Sequence, residues 1–196
     1  IEEYRQAMLY NSDFAPQRYN LGNLAQAQGD IETAKKYYRQ AVKIDTLFYP
    51  AKVNLAMQLN REGNNDEAEN LLKEVVAEHP DLHEVAYSLG LLQAEQGNFE
   101  EAAKNLGIAA DGMPSYSRAR YNQALAHMKL QNWEEAEKRL LQAVDVDPAN
   151  RQYFITLSNF YIRSNRYDKL RMLAEAILKR VPDHPEAKEI LNVIDQ

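Results

Sequence analysis

The sequence contains no cysteine among its 196 residues. This absence excludes disulfide bonds, thiolate zinc sites, a thiol nucleophile and covalent attachment of c-type haem within this chain. A chain without cysteine is compatible with reducing and with oxidising compartments. The composition therefore fits a soluble protein of either the cytoplasm or the periplasm.

Long apolar runs and an excess of basic charge are also missing. No stretch approaches the roughly 18 apolar residues of a membrane-spanning helix. The 23 Lys and Arg residues are outnumbered by 29 Asp and Glu residues, which gives a net charge of -6. Proteins that grip phosphate backbones need a basic surface. The sequence thus predicts neither a membrane protein nor a nucleic-acid-binding protein.

Signatures of catalysis and metal binding are equally sparse. His79 and His83 are four residues apart, but Pro80 stands between them at a predicted turn, so they do not share one helical face. No glycine-rich phosphate loop and no nucleophile elbow occurs. Acidic pairs such as Glu134 and Glu135 stand at predicted helix starts, where capping explains them. We predict no catalytic residues, no metal, no cofactor and no enzymatic activity.

What the sequence does contain is a repeat. The segment YNLGNLAQAQGD begins at Tyr19, and YNQALAHMKLQN begins at Tyr121, which is 102 positions or three periods of 34 later. At this period the chain divides without insertion into five repeats, which we number in order: 15–48, 49–82, 83–116, 117–150 and 151–184. A period of this length is typical of stacked helical units.

Five repeat positions have clear physical meanings. Small residues at positions 8 and 20 indicate two helices that cross closely. Position 15 is expected to end the first helix in a left-handed conformation. Position 16 is expected to cap the start of the second helix, and the proline at position 32 is expected to end the second helix. Position 8 reads Gly22, Ala56, Gly90, Ala124, Ser158; position 15 reads Gly29, Gly63, Gly97, Gln131, Asn165; position 16 reads Asp30, Asn64, Asn98, Asn132 in repeats 1–4; position 20 reads Ala34, Ala68, Ala102, Ala136, Leu170; position 32 reads Thr46, Pro80, Pro114, Pro148, Pro182.

On these columns the chain resembles tetratricopeptide repeat (TPR) proteins over its whole length. The resemblance implies an all-α fold, an α-solenoid of antiparallel helix pairs coiled into a right-handed superhelix, and a single array over residues 1–196. Repeat 5 departs most from this pattern. Leu170 stands at position 20, where the other repeats have alanine, and Asn165 stands at position 15, where repeats 1–3 have glycine. Its helix packing is expected to be looser or shifted.

Both ends are read as incomplete repeats. Residues 1–14 match a second helix without its partner, and residues 185–196 match one more first helix, which would act as a C-terminal capping helix. The unpartnered start favours further chain before Ile1, with a loosely ordered start as the alternative. An exposed edge there would also permit self-association.

In TPR proteins the first helix of each repeat lines a concave groove, with positions 2, 5, 6, 9, 12 and 13 facing it. Recurrent asparagines there can pair with the backbone of an extended peptide, and tyrosines offer rigid anchors. The alternative is that asparagine is simply tolerated on a solvated helix surface. The resemblance assigns these groove residues: Tyr19, Asn20, Asn23, Asn54, Met57, Arg61, Tyr87, Leu91, Arg118, Tyr121, Asn122, Lys129, Asn159 and Arg163.

The charge along this groove is uneven. A carboxylate clamp, as in TPR co-chaperones, is not matched, because Tyr19, Glu84 and Ser88 stand where basic residues are required. Positive charge instead comes from repeats 4 and 5, at Arg118, Lys129 and Arg163, so an acidic end of a ligand is expected there.

The resemblance implies a non-catalytic protein–protein interaction module that binds a peptide or protein segment in the groove. The partner's identity is left open. An alternative is an accessory TPR region of a larger enzyme or multihaem redox protein, making intramolecular or assembly contacts. The segment YPAKVNLAMQLNREGNNDEAENLLKEVVAEHPD is similar to TPR regions at the C-terminal end of bacterial multihaem cytochrome c-like proteins.

Overall fold

The computed structural model describes residues 14–195, and within this range the chain forms eleven α-helices and no strand. The all-α prediction is confirmed. The helices are α1 Ala15–Ala27, α2 Ile31–Ile44, α3 Tyr49–Arg61, α4 Asn65–Glu78, α5 His83–Glu95, α6 Phe99–Gly112, α7 Ser117–Lys129, α8 Trp133–Val146, α9 Arg151–Arg163, α10 Tyr167–Arg180 and α11 Pro185–Ile194. All of them fall short of the length and apolar character needed to cross a bilayer.

Tertiary contacts divide the chain into two compact units, with the boundary between Leu92 and Gln93 inside α5. In the N-terminal unit α1 packs on α2, α2 on α3 and α3 on α4. In the C-terminal unit each helix from α6 to α10 packs on the next. Because the connections are short, consecutive helices run antiparallel. The predicted partial repeat at 1–14, and with it the edge expected to self-associate, lies outside the described residues apart from Phe14.

Position 15 adopts a left-handed conformation after the first helix in every repeat, as predicted for glycine and asparagine, and Gln131 adopts it as well. The φ angles are 81° at Gly29, 81° at Gly63, 85° at Gly97, 59° at Gln131 and 54° at Asn165. The last two residues therefore adopt the glycine conformation despite having a Cβ atom, and this backbone strain is greatest for Gln131, since asparagine visits the region more readily.

The capping prediction is only partly correct. Asp30 accepts a hydrogen bond from the backbone N–H of Thr33 at 3.1 Å. Asn64, Asn98 and Asn132 occupy the N-cap position but make no side-chain cap bond. Asn150 at the start of α9 does accept from a backbone N–H, so the missing cap bonds are not a general property of the carboxamide.

The close helix crossing at positions 8 and 20 is confirmed. A Cβ atom built on Gly22 would lie 2.4 Å from Cε1 of Tyr38, whose side chain fills the space against α1. Ala34 and Ala68 are completely buried. In repeat 5 the larger Leu170 is buried as well, with 2% of its surface exposed, so its side chain is accommodated inside the C-terminal core.

Gln123 shows how a departure from the repeat pattern is accommodated. It stands at repeat position 7, where the other four repeats carry leucine, and its side chain is 5% exposed. Its Nε2 atom donates to the backbone carbonyl of Ala103 at 3.1 Å. A Cβ atom on Gly107 would lie 2.7 Å from that nitrogen, so the glycine makes room for the polar side chain.

Candidate functional site

Two of the predicted groove asparagines in the N-terminal unit bind each other. Nδ2 of Asn54 donates to Oδ1 of Asn23 at 3.0 Å, and it lies 3.4 Å from the hydroxyls of Tyr19 and Tyr38. The Tyr38 hydroxyl lies 2.9 Å from Oδ1 of Asn23 and 2.9 Å from Oε1 of Gln26, to one of which it donates. A ligand that used the paired atoms of Asn23 and Asn54 would have to displace these bonds.

Tyr38 connects this hydrogen-bond network to the buried core. Its side chain is completely buried. Burial raises the pKa of the Tyr38 hydroxyl, and the hydrogen bond with Asn54 lowers it by less. The neutral phenol therefore stays a hydrogen-bonding centre at physiological pH. Gln58 extends the network by donating to Gln26 at 2.9 Å.

The other predicted groove residues of the N-terminal unit differ in exposure. Tyr19 packs edge-on against Phe48, with ring centroids 5.5 Å apart. Tyr87 and Leu91 on α5 are half-buried. The exposed members are Asn20, Met57 and Arg61, and of these Arg61 lies 3.5 Å from Gln58.

The C-terminal unit holds a second network, in which Tyr121 and Thr156 stand at the repeat positions of Tyr19 and Asn54. The ring of Tyr121 lies 4.7 Å from that of Tyr153. The Tyr121 hydroxyl is 3.1 Å from Oγ1 of Thr156 and accepts from Nε2 of Gln152 at 3.3 Å. Ser117 bonds the Tyr153 hydroxyl at 3.3 Å. Tyr121 therefore joins α7 to α9.

The structure brings three predicted residues together around a cleft in the C-terminal unit. Lys129, Asn159 and Arg163 line it, whereas Arg118, Tyr121 and Asn122 do not. Its volume is about 580 Å³. We call it the Trp133 cleft, and its lining consists of Met128, Lys129, Trp133, Thr156, Asn159, Phe160, Arg163, Ser164 and Arg166.

Aromatic side chains form one wall of the Trp133 cleft. The rings of Trp133 and Phe160 lie 6.2 Å apart and are tilted by 37°. Phe160 is buried at 8% exposure, but Trp133 remains 48% exposed. The guanidinium carbon of Arg166 lies 5.5 Å from the Phe160 ring centroid, within the range of a cation–π contact. A large aromatic surface is thus left open to solvent beside a cation.

The cations of this cleft fall into two kinds. Arg166 is paired with Glu137, which also binds Lys169 and accepts from the Tyr161 hydroxyl. Lys129 and Arg163 are exposed and have no ion-pair partner within residues 14–195. Burial raises the pKa of Glu137, but hydrogen bonds from Lys169, Tyr161 and Arg166 outweigh it and hold the pKa below the ordinary value of 4.5. Glu137 is therefore ionised near neutral pH and fixes Arg166.

Sequence reasoning did not predict Trp133, Phe160 and Arg166 as members of the cleft. Trp133 stands at repeat position 17 and contacts Phe160, but half of its surface is open. A signal was present at Arg166, which occupies the position where repeats 1–4 carry aspartate or asparagine. Met128 and Ser164 also line the cleft and were not predicted either.

Histidine and carboxylate side chains do not form a metal site in the described range. No group of three such residues is arranged to hold a metal ion among residues 14–195. His79 packs on the ring of Tyr49 at 4.9 Å, and burial lowers the pKa of His127. Packing accounts for the surroundings of both side chains.

Comparison with known families and structures identifies the repeat. Sequence profiles of the tetratricopeptide repeat match residues 25–92, 87–150 and 121–185. A search of curated proteins found no significant match. The chain therefore belongs to the tetratricopeptide repeat family, on the evidence of profiles that cover most of its length.

Solved structures of similar fold include proteins that are described as TPR proteins. YrrB, described as a TPR protein with an unusual peptide-binding site, is 17% identical with a TM-score of 0.76, over 96% of this chain and 97% of its own. MamA from Desulfovibrio magneticus RS-1, from residue 41 to its end, is 20% identical with a TM-score of 0.72, over 88% and 96%. A TPR protein from Parabacteroides merdae is 16% identical with a TM-score of 0.71, over 91% and 73%. At these identities the likeness establishes the fold.

Proposed function

We propose that this TPR protein is a non-catalytic binding module that holds an extended segment of a partner protein along the first helices of its repeats. As a TPR protein it is a protein interaction module in general. The observation that carries the finer proposal is the Trp133 cleft. It opens beside exposed residues of α7 and α9 that can bond a peptide, including Asn159 and Arg163.

The exposed residues define where such a segment would make contact. In the C-terminal unit Asn159 supplies a carboxamide donor and acceptor for a peptide backbone, and Arg118, Lys129 and Arg163 supply positive charge. In the N-terminal unit the contacts would come from Asn20 and Met57 more than from the mutually bonded asparagines. Several moderate contacts of this kind add up to useful affinity along a helical array.

Site-directed photo-crosslinking tests which helices face the partner. A photoreactive benzoylphenylalanine would replace Met57 in the N-terminal unit and, in a separate variant, Arg118 in the C-terminal unit. Both residues are exposed on first helices and lie outside the Trp133 cleft. After irradiation in lysate of the host organism, we expect discrete adducts of the same partner from both positions.

Matched positions on second helices supply the control. Asn70 on α4 and Lys104 on α6 are exposed in the same two units. The same photoreactive residue at these positions is expected to give no discrete adduct. Adducts from Asn70 and Lys104 instead of Met57 and Arg118, or no adduct from either first-helix position, would overturn the proposal.

A further inference from the structure

We infer that the Trp133 cleft is a specificity pocket for an acidic peptide segment that carries one large apolar side chain. The inference rests on the proposed function in one respect only, namely that the occupant is a peptide. The type of side chain and the sign of its charge follow from the lining residues themselves.

The apolar part of the cleft matches one large side chain. A volume of about 580 Å³ lies within the range of ligand-binding pockets and accepts an aromatic or long aliphatic side chain with its adjacent backbone. Trp133 contributes a ring that is 48% exposed. Covering this ring would remove a large apolar area from water, which is the usual source of affinity at a peptide anchor.

The polar part of the cleft is cationic. Lys129 and Arg163 have no carboxylate partner in the described range, although the whole chain carries a net charge of -6. Arg166 is held over Phe160 by its pairing with Glu137, so its guanidinium has a fixed place beside the cleft. Carboxylates of a bound segment would compensate the positive charges of these side chains. Arginine can hold a carboxylate through two parallel hydrogen bonds.

The two features together select the occupant. A small inorganic anion would leave Trp133 in contact with water, and a purely apolar segment would leave Lys129 and Arg163 uncompensated. A segment with an apolar residue between acidic neighbours satisfies both, because the aromatic wall and the cations line the same cleft. Asn159 would then bond its backbone.

Tryptophan fluorescence offers a direct measurement, because Trp133 is the only tryptophan in the protein. Three short capped peptides without tryptophan would be titrated into the full chain. The first has a central phenylalanine flanked by aspartate and glutamate, the second has serine in place of phenylalanine, and the third has lysines in place of the acids. We expect a saturable blue shift of the emission with the first peptide.

The other two peptides should bind at least about tenfold more weakly, since each lacks one half of the recognition. Added salt should weaken binding of the first peptide, because exposed ion pairs are screened. Equal responses to the acidic and basic peptides, or no response to any of them, would overturn the inference. A shift that depends on the concentration of the protein alone would mean that a second copy occupies the cleft, and would also overturn it.

Variants locate the binding within the cleft. Arg163→Gln and Lys129→Gln are each expected to weaken the first peptide about fivefold, with unchanged circular dichroism. Lys104→Gln is the matched control, because Lys104 is also exposed and lies outside the cleft. Unchanged binding by Arg163→Gln and Lys129→Gln would contradict the inference even if the peptide bound.

The two proposals fail in different ways. If cross-links persist at Met57 and Arg118 while no peptide shifts the emission of Trp133, the specificity pocket is wrong and the binding module stands. If the acidic peptide binds but no cross-link forms on the first helices, the cleft binds peptides without serving the proposed extended contact.

Discussion

The hydroxyl of Tyr121 lies 3.1 Å from Oγ1 of Thr156 and thereby connects α7 to α9. Tyr19 occupies the same repeat position as Tyr121, and Asn54 the same position as Thr156. Nδ2 of Asn54 lies 3.4 Å from the Tyr19 hydroxyl. Tyr19 and Tyr121 thus each contact the polar residue at position 6 of the next repeat, so both have a structural role in addition to any contact with a ligand.

Substitutions at Tyr121 should separate these roles. Tyr121→Phe keeps the ring contact with Tyr153 but loses the hydroxyl bonds, and is expected to lower the free energy of unfolding by about 1 kcal/mol. Tyr121→Ala also loses the ring and is expected to cost about 2–4 kcal/mol. Urea unfolding followed by circular dichroism measures both.

A partner-binding defect in Tyr121→Ala would therefore mix folding with recognition. Tyr121→Phe is the informative variant for binding. If the phenylalanine and alanine variants unfold at the same urea concentration, the ring contact with Tyr153 contributes nothing and the structural role assigned to it is wrong.

Gly22 tests the close crossing of α1 and α2. Alanine has a higher helix propensity than glycine by about 1 kcal/mol, so Gly22→Ala would stabilise an isolated helix. In this fold the new Cβ atom would meet the buried ring of Tyr38 at 2.4 Å. We expect a net loss of about 1–3 kcal/mol through overpacking, measured as a lower urea midpoint.

A second substitution checks that Tyr38 is the cause. Gly22→Ala should cost much less when it is introduced into a Tyr38→Leu protein, because leucine lacks the ring atoms that overlap. Equal costs in the two backgrounds would assign the loss to another contact.

The sequence predicted the features that depend on neighbouring residues. The first helices end where Gly29, Gly63 and Gly97 stand, since a left-handed residue stops a helix locally. The pairing of Asn54 with Asn23 depends on a distance between different repeats, and an asparagine pattern fits a bound peptide and an internal bond equally well. The Trp133 cleft could not be predicted for a similar reason. The sequence shows that Trp133 stands at repeat position 17, but it does not show how much of the Trp133 ring is covered by Phe160.

Gln131 carries backbone strain that a substitution can relieve. Its φ angle of 59° is a conformation that glycine adopts at little cost and most other residues avoid. Gln131→Gly is expected to raise the free energy of unfolding by about 0.5–1 kcal/mol, since relief of strain exceeds the extra entropy of the unfolded chain. Asn165→Gly should gain less, because asparagine tolerates this region. Thermal unfolding of both variants measures the difference, and a destabilised Gln131→Gly protein would refute the assignment of strain.

Glu137 should make the stability of the C-terminal unit depend on acid pH. Its pKa in the folded protein lies below the ordinary value of 4.5, because hydrogen bonds from Lys169, Tyr161 and Arg166 outweigh burial. A carboxyl group with a lowered pKa stabilises the fold fully above its unfolded pKa, and this contribution is lost as the pH falls through the folded pKa. The relevant window therefore begins near pH 5 and extends below pH 4.5.

Comparing the wild type with Glu137→Gln isolates this contribution. At pH 7 the variant should unfold at a lower urea concentration, because it leaves Arg166 and Lys169 without their shared carboxylate. The difference between the two proteins should shrink steadily as the pH is lowered from 5, since the wild-type carboxyl then becomes protonated. Glu175→Gln removes an exposed carboxylate in the interior of α10 of the same unit and is expected to leave the midpoint unchanged at pH 7. A wild-type advantage that stayed constant down to pH 3 would show that the charge of Glu137 is not what fixes Arg166 beside the Trp133 cleft.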